Sequence, residues 1–376
     1  DYSKEIYELS EVKDPCEAFF ALTHEQSEFY DRVISKYFGE GGDFKGTIYR
    51  PFEYEAGIVG MDEDELNKDE NREALIQKNL YDFMRRLLVK RFESSFGAFR
   101  QSIDNFKRIT EKVQQFITNS GGKFILDRKL MDQIYQDDED EIAEELEKFE
   151  QMLTSGNYPK HYKVYKLNEK EFKQKDKFLA DIEADIVLFE RILNELDTLK
   201  LVDNDPKLAR LEADLSKILK QKDKASEPNR KVIVFSEYVD TVKYVEAYLE
   251  KKFIGQIISV KGDLNKTKAT EIMSNFDTTY KNQTNKYQIL ITTDKMSEGV
   301  NLNRAGAVIN VDIPWNPTRV VQRVGRMNRI SKKVFENLYI YNFFPTIQGA
   351  SIVRSRQIAT EKMFMIHNTL GEDAKV

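Results

Sequence analysis

Two patterns of apolar and polar residues divide the chain near residue 225. From about residue 61 to residue 225, apolar positions recur at intervals of three and four, which is the spacing of amphipathic helices. The clearest stripe consists of Ile182, Ile186, Phe189, Leu193 and Leu196. A second stripe follows at Leu208, Leu211, Leu215 and Ile218, after an Asp-Pro pair that suits a helix start. We expect these two helices to pack as a hairpin.

Beyond the polar segment Lys222–Arg230, the pattern changes to short apolar, β-branched runs separated by helix-like stretches. The runs are Val232–Phe235, Ile257–Val260, Ile289–Thr292, Ala307–Val311 and Leu338–Tyr341. Apolar strands that alternate with helices predict a parallel sheet covered on both faces. The predicted fold class is therefore α/β, with a doubly wound parallel sheet preceded by a large α-helical region.

The same patterns predict four segments along the chain. Residues 1–60 mix short apolar runs with turn residues, and Ala18–Phe38 within them indicates a strand followed by an amphipathic helix. Residues 61–225 form a mainly helical domain, and residues 226–346 form the α/β domain. Residues 347–376 are expected to be a C-terminal helical extension.

Composition excludes several classes of protein. No apolar stretch in the 376 residues approaches the roughly 18 that a membrane-spanning helix needs, so we expect no membrane protein. The single cysteine, Cys16, excludes a disulfide framework and fits a reducing compartment, which predicts a cytoplasmic protein. Three histidines lie far apart, so we expect no metal site. The chain begins at Asp1 without a signal-like segment and is expected to be an excised part of a longer protein.

The net charge of -6 combines two unlike parts. Residues 226–376 carry 22 Lys and Arg against 15 Asp and Glu, a net charge of +7. Residues 1–225 carry 36 against 49, a net charge of -13. A basic C-terminal part on an acidic chain suggests a polyanionic partner, although an ordinary solvated surface is the alternative.

Chemistry-bearing residues follow the predicted strands, where ligands of open α/β sheets gather. They are Ser236, Lys261, Gly262, Thr292, Thr293 and Trp315. Hydroxyl and backbone N–H groups donate to phosphate oxygens without reading base sequence, so this edge suits a nucleic-acid backbone. The alternative is that these residues only terminate the strands.

The helix predicted after the fourth strand has an unusual charge distribution. At about 100° per residue, an apolar stripe faces the sheet and arginines lie on the other side. The stripe is Val320, Val324 and Met327, and the arginines are Arg319, Arg323, Arg326 and Arg329. Like charges at this spacing repel, and the helix contains no acid. We expect all four arginines to project away from the sheet toward an external anion such as phosphate.

Four segments, in this order, resemble motifs of the superfamily-two helicases. KVIVFSEYVDT (Lys231–Thr241) is similar to motif IV of Swi/Snf-type ATPases, and TTDKMSEGVNL (Thr292–Leu302) resembles motif V. DIPWNP (Asp312–Pro317) looks like the link that precedes motif VI, and QRVGRMNRI (Gln322–Ile330) looks like motif VI itself. The resemblance is to the C-terminal, second RecA-like lobe of bacterial Swi/Snf-type members. It implies a RecA-like sheet of the P-loop NTPase type, with residues 1–60 as the segment between lobes.

The resemblance also implies a role for each matching residue. Arg326 and Arg329 would be arginine fingers that meet the γ-phosphate of ATP, and Gln322, Gly299 and Asn301 would lie at the nucleotide. The backbone of the nucleic acid would be contacted by Ser236, Lys261, Gly262, Thr292, Thr293 and Trp315. For Trp315, a role as a packing anchor is the alternative.

An absent motif limits what the chain can do alone. No G-x-x-x-x-G-K-[ST] loop occurs in the sequence, so an upstream RecA-like lobe would hold ATP and most of the Mg²⁺ coordination. The resemblance favours an ATP-driven translocase on double-stranded DNA, inactive without that lobe, and RNA polymerase or another protein is a further partner to consider. An RNA helicase lobe and a non-hydrolysing helical interaction module are the alternatives. Basic residues of Arg85–Arg91 would either touch DNA or lie on an acid-paired surface helix.

Overall fold

A computed structural model describes residues 9–60, 68–126, 148, 150–156, 163–262, 264–294, 300–314, 317–328 and 333–345. It divides the chain into a first unit, residues 1–28 and 201–376, and a second unit, residues 29–200. The C-terminal helical extension predicted at residues 347–376 lies outside the described residues. No helix among the described residues is long and apolar enough to cross a membrane.

The strands of the described chain coincide with the predicted apolar runs to within one residue, except for the last strand, and include four further segments before them. In chain order they are β1 (Glu11–Val12), β2 (Cys16–Phe20), β3 (Lys123–Leu126), β4 (Lys163–Lys166), β5 (Val232–Phe235), β6 (Ile257–Ser259), β7 (Ile289–Thr292), β8 (Ala307–Asn310) and β9 (Asn337–Pro345). The last of these is longer than the pattern predicts.

The helices follow the apolar stripes of the sequence. In chain order they are α1 (His24–Asp31), α2 (Pro51–Ala56), α3 (Lys68–Ser94), α4 (Phe96–Asn119), α5 (Lys175–Thr198), α6 (Pro206–Ile218), α7 (Val239–Leu249), α8 (Lys266–Phe276) and α9 (Pro317–Gly325). A π-helix at Arg32–Tyr37 continues α1, and a 3₁₀ turn at Thr47–Tyr49 precedes α2.

A parallel sheet organises the first unit. Its strand order is β1-β9-β8-β5-β7-β6, and β2 also pairs with β9. Each of these pairs is parallel, with β5 between β7 and β8. All residues of β5, β7 and β8 are buried, which explains why these strands are apolar without alternation. The predicted α/β fold with a parallel sheet is confirmed.

Two strands from the start of the chain extend this sheet in a way that the sequence pattern does not predict. The short β1 and the longer β2 lie parallel to β9, and Cys16 of β2 is in register with Tyr341. Arg210 of α6 donates from Nη1 to the carbonyl of Phe19, so a side chain of α6 binds a backbone acceptor of β2. The first unit is therefore built from both ends of the chain.

The polar segment before β5 is bound to the sheet through one arginine. Arg230 is fully buried and donates to Asp223 Oδ2 at 2.7 Å and to the carbonyls of Gly306 and Asn337 at 3.1 and 2.9 Å. Its guanidinium also lies over two aromatic rings of the β9 region. The unit boundary falls at residue 200 rather than near 225, because this network and α6 tie residues 201–230 to the sheet.

Helix α6 packs against β2 and α7 in the first unit, whereas α5 packs against α4 in the second. The predicted α5–α6 hairpin is therefore not the main packing of either helix. Asp205 caps α6 by accepting from the backbone N–H groups of Lys207 and Leu208 at 2.8 and 3.2 Å. The Tyr244 hydroxyl of α7 lies 3.2 Å from the same carboxylate. Burial raises the pKa of Asp205 to about 6.

The second unit is mainly helical and contains a two-stranded antiparallel sheet, β3–β4, that the helical pattern did not predict. Its core is rich in aromatic side chains, among them Phe92, Phe99 and Phe178. Asp185 of α5 is buried and accepts from the backbone N–H groups of Lys45 and Thr47 at 2.7 and 3.1 Å. Burial raises the pKa of this carboxyl to about 6.

Basic residues of Arg85–Arg91 are partly used inside the second unit. Arg85 donates to the carbonyl of Phe38 at 2.8 Å and pairs with Asp82 at 3.3 Å. Arg91 is buried. These contacts favour the acid-paired alternative for Arg85 and remove Arg91 from any exposed surface.

Candidate functional site

Helix α9 packs on the sheet through the predicted apolar stripe. Val320, Val324 and Met327 are at most 3% exposed. After the helix ends at Gly325, the carbonyl of Arg326 accepts from the backbone N–H of Leu302 at 2.9 Å. This bond brings the segment that contains Asn301 to the end of α9.

Arg323 corrects the expectation that all four arginines project outward. Its side chain is fully buried and donates from Nε and Nη2 to the two carboxylate oxygens of Asp294, at 2.6 and 2.7 Å. Its Nη1 donates to Asn310 Oδ1 at 2.7 Å, and the guanidinium lies 4.9 Å from the ring centre of Phe235. The expectation is wrong for Arg323 because an acid and an amide from neighbouring strand ends satisfy the guanidinium inside the unit.

The remaining residues of the predicted arginine face differ in exposure. Arg319 is partly exposed and pairs with Glu237 at 3.3 Å. Gln322 is exposed and Arg326 is half-buried. Arg329 lies outside the described residues, as do Gly299 and Trp315. Among the described residues of this face, the exposed side chains are therefore Arg319 and Gln322, and Arg326 in the turn after α9 is less accessible.

The end of β5 is bound to the end of β8 through Ser236 and Asp312. Ser236 Oγ donates to Asp312 Oδ2 and accepts from the backbone N–H of Tyr238 at 3.1 Å. Asp312 Oδ1 accepts from the backbone N–H of Glu237 at 2.8 Å. Ser236 is only 1% exposed, so its hydroxyl serves the joint between the two strands in this structure.

The two predicted residues after β6 lie at the surface. Lys261 is exposed and forms an ion pair with Glu246 of α7. A phosphate at Lys261 would replace that carboxylate as its partner. Gly262 has a φ of +120°, and no atom lies within 4 Å of where a Cβ would stand. The backbone conformation, and not crowding, therefore requires glycine here.

The two threonines at the end of β7 are buried. Thr292 donates from Oγ1 to the carbonyl of Thr293 at 3.1 Å. The Thr293 hydroxyl is also buried, and it has no hydrogen-bond partner among the residues that the structure describes. An unsatisfied buried hydroxyl is costly, so Thr293 is the better of the two candidates to meet a ligand at this edge.

Sequence reasoning missed the acids and amides that organise this edge. Glu237, Asp294 and Asp312 each come two residues after the end of a strand, which places all three at the same edge of a parallel sheet. The helix was treated as unpaired because its own sequence contains no acid. Acids at the ends of neighbouring strands are the feature that would have revealed their partners.

The site has the chemistry of an anion-binding edge. Its described groups include an exposed amide, a half-buried guanidinium and backbone at the ends of parallel strands, and Asp294 and Glu237 neutralise two other arginines. Such groups can bind phosphate and stabilise its charge, and the described residues offer no nucleophile–base pair that we can assign.

Part of the chain is similar to known helicases. Residues 211–331 match the model of the helicase conserved C-terminal domain. The "Uncharacterized ATP-dependent helicase YqhH" of Bacillus subtilis is 30% identical over 159 residues, which are 42% of this chain and 26% of that protein. The "SNF2 domain-containing protein CLASSY 4" of Arabidopsis thaliana is 29% identical over 30% of this chain and 10% of that protein.

Relatives named as RNA helicases also match. The "ATP-dependent RNA helicase DBP3" of Gibberella zeae is 27% identical over 31% of this chain and 19% of that protein. Among solved structures, the C-terminal part of the Fun30 ATPase domain has a TM-score of 0.41 and 16% identity, covering 96% of this chain and 99% of that chain. A TM-score this low adds nothing to the sequence matches.

The alignments cover about a quarter or less of the length of these curated relatives. The matched region contains β5 to β8, α9 and the site at the carboxyl ends of the strands. The resemblance stated from the motifs is confirmed: residues 211–331 match the helicase conserved C-terminal domain, and the chain is homologous to ATP-dependent helicases of superfamily two, in agreement with a C-terminal, RecA-like lobe.

Proposed function

We propose that this chain is the second-lobe part of an ATP-dependent translocase of the Swi/Snf type that acts on double-stranded DNA. The observation that carries the proposal is the backbone hydrogen bond between the end of α9 and the segment at Asn301 and Leu302. The bond from Leu302 to the carbonyl of Arg326 brings the region of Asn301 to the helix end that bears Gln322 and Arg326. An exposed amide and a guanidinium then stand together at the edge of the sheet, where nucleotides bind in α/β folds.

The groups present fit one end of ATP and not the whole molecule. A guanidinium after α9 suits the charge of a terminal phosphate, and arginine in this role accelerates related reactions by about 10³–10⁵-fold. The sequence has no P-loop, so binding of the other phosphates and of Mg²⁺ falls to an upstream lobe of the same protein. ATP bound between the lobes supplies the phosphoryl group. In this chain, Arg326 and Arg329 would neutralise its charge, and Gln322, Asn301 and Gly299 would position it.

Nucleic acid would lie along the ends of β5 to β8. Lys261 and the backbone at Gly262 are at the surface for a phosphate, and the unsatisfied hydroxyl of Thr293 is a donor for another. Ser236 and Thr292 would reach a strand only after giving up their present bonds. Trp315 remains a proposed contact from the resemblance.

Double-stranded DNA is favoured by the motif IV segment and the Trp-Asn-Pro link, which resemble Swi/Snf-type proteins. RNA is the second candidate, because a relative named as an RNA helicase also matches about a third of the chain. RNA polymerase or another protein partner, and a cytoplasmic location, stay predictions.

The test uses the complete protein that contains this chain. ATP turnover is measured with no nucleic acid, with duplex DNA and with RNA, for the wild type and for Arg326→Ala and Arg329→Ala. We expect stimulation by duplex DNA, loss of turnover in both variants, and DNA affinity changed by less than about threefold, since each variant removes a contact made in the transition state. Arg319→Ala is the matched control on the same helix and should keep near-normal turnover.

Each contrary result has its own meaning. Near-normal turnover in Arg326→Ala would refute the finger assignment, and stimulation by RNA alone would replace the DNA assignment. No turnover under any condition would favour the interaction-module alternative. The chain of 376 residues by itself should hydrolyse ATP at background rate.

A further inference from the structure

Two asparagines lie side by side in the interior of the parallel sheet. Asn310 of β8 and Asn342 of β9 are register partners, and both are fully buried. Asn310 Nδ2 donates to Asn342 Oδ1 at 2.7 Å. Burying an amide group in an apolar sheet lowers the free energy of unfolding unless the group is hydrogen-bonded. The presence of two amides here therefore needs an explanation.

The pair is the inner end of a continuous polar chain. Asn310 Oδ1 accepts from Arg323 Nη1 at 2.7 Å, and the other two donors of Arg323 meet Asp294 at 2.6 and 2.7 Å. This series of hydrogen bonds thus links β9, β8 and α9 to Asp294, which follows β7. Arg323 and both asparagines have no exposed surface.

Stability alone is a weak reason to keep such a network. Replacing a buried ion pair by packed apolar side chains is often neutral or stabilising, because desolvation offsets the Coulombic attraction. The network does fix a position. Three directed hydrogen bonds hold the guanidinium of Arg323 in place, and they therefore fix the rotation of α9 about its axis and its distance from the sheet. Arg323 lies beside Gln322, and its carbonyl accepts from the backbone N–H of Arg326 at 3.3 Å.

We propose that Asn310, Asn342 and Asp294 are positioning residues that act through Arg323 to aim the end of α9 at the nucleotide. The inference rests on the proposed function. The network sets the orientation of Gln322 and Arg326 without touching the ligand. Loss of one bond lets the helix end shift, and a displacement of about 1 Å can cost about a hundredfold in rate.

The experiment compares Asn310→Ala with Asn275→Ala in the complete protein. Asn275 is an equally suitable buried asparagine in the same unit: its amide donates to the carbonyl of Glu271 at 2.8 Å and its Oδ1 accepts from the N–H of Tyr287 at 2.9 Å. Both substitutions remove a buried amide, and only Asn310 contacts Arg323. Thermal unfolding and DNA-stimulated ATP turnover are measured for each.

We expect kcat of Asn310→Ala to fall about tenfold or more while KM for ATP stays within about twofold, since positioning is expressed in the transition state. Asn275→Ala should keep kcat within about twofold at a similar loss of melting temperature. Asn342→Ala leaves the bond from Arg323 to Asn310 in place and should show the same split with a smaller loss of kcat. It provides the test if Asn310→Ala fails to fold.

Equal effects of Asn310→Ala and Asn275→Ala on kcat would overturn the inference, as would a change confined to KM. These results leave the proposed function standing, provided that the wild type turns over ATP and Arg326→Ala does not. A wild type without turnover would overturn the proposed function, and the positioning role with it.

Discussion

Arg230 offers the sharpest test of how the first unit is held together. The substitution Arg230→Ala removes a fully buried guanidinium that pairs with Asp223 at 2.7 Å and with Glu227 at 3.5 Å. It also removes the donor to two carbonyls, those of Gly306 and Asn337. The Glu227 side chain is only 5% exposed, so it would be left as a buried charge without its arginine.

The expected cost follows from that arrangement. Breaking a buried ion pair by removing one partner costs about 3–5 kcal/mol, because the remaining charge stays desolvated. We therefore expect Arg230→Ala to lower the free energy of unfolding of the first unit by an amount in this range. Arg230→Lys keeps the charge but cannot reach both acids and both carbonyls, and should lose about 1–3 kcal/mol. The exposed pair of Lys243 with Asp240 gives the matched control, Lys243→Ala, at under about 1 kcal/mol.

The assay has to report on the first unit separately, since a chain of two units need not unfold in one step. Hydrogen exchange of peptides from β5, β8 and β9, measured across a urea series, gives the free energy of unfolding at those strands. The reasoning is refuted if Arg230→Ala lowers that free energy by less than about 1 kcal/mol, the value expected for a surface pair.

Two further predictions concern backbone conformation and pH. Gly46 and Gly41 both have left-handed φ, at +57° and +68°, but a Cβ would collide with the Tyr81 ring only at Gly46. Gly41→Ala should therefore lower the free energy of unfolding by about 1–2 kcal/mol, and Gly46→Ala should lower it by about 1–3 kcal/mol more. Urea unfolding measures both values, and equal losses in the two variants would contradict the prediction. Burial raises the pKa of Asp205 from 3.8 to about 6, so the folded state binds its proton first and the free energy of unfolding should rise as pH falls from about 6 to about 4. Asp205→Asn keeps an N-cap and should remove up to about 3 kcal/mol of that dependence, measured by unfolding at several pH values; an unchanged pH dependence would argue against it.

Much of the α/β sheet could be predicted because its strands are continuous apolar runs. Val232–Phe235 and Ile289–Thr292 are observed with the predicted bounds. Strands that are buried on both faces contain no polar positions, so the ends of the apolar run mark the ends of the strand. The stripe of α9 was predicted for a similar reason. Pattern alone could not assign β1 and β2 to this sheet, because their partner β9 lies more than 300 residues away in the sequence.

The candidate site was predicted less completely than the fold. Helical periodicity placed Arg323 with Arg319 and Arg326, but whether an arginine faces solvent depends on what lies at the ends of other strands. Asp294 and Asn310 turn Arg323 inward, and neither is on the helix. Side-chain partners that come from three separate elements have no local pattern in the sequence.

The pairing of β2 with β9 has a consequence for how the chain is made. A ribosome completes β2 first and then the second unit, residues 29–200, in one uninterrupted stretch, so that unit can fold while the rest of the first unit is still being synthesised. The strands at the start of the first unit must wait for β9, more than 300 residues later. During that interval β2 lacks its partner strand, and its unpaired edge is open to other chains.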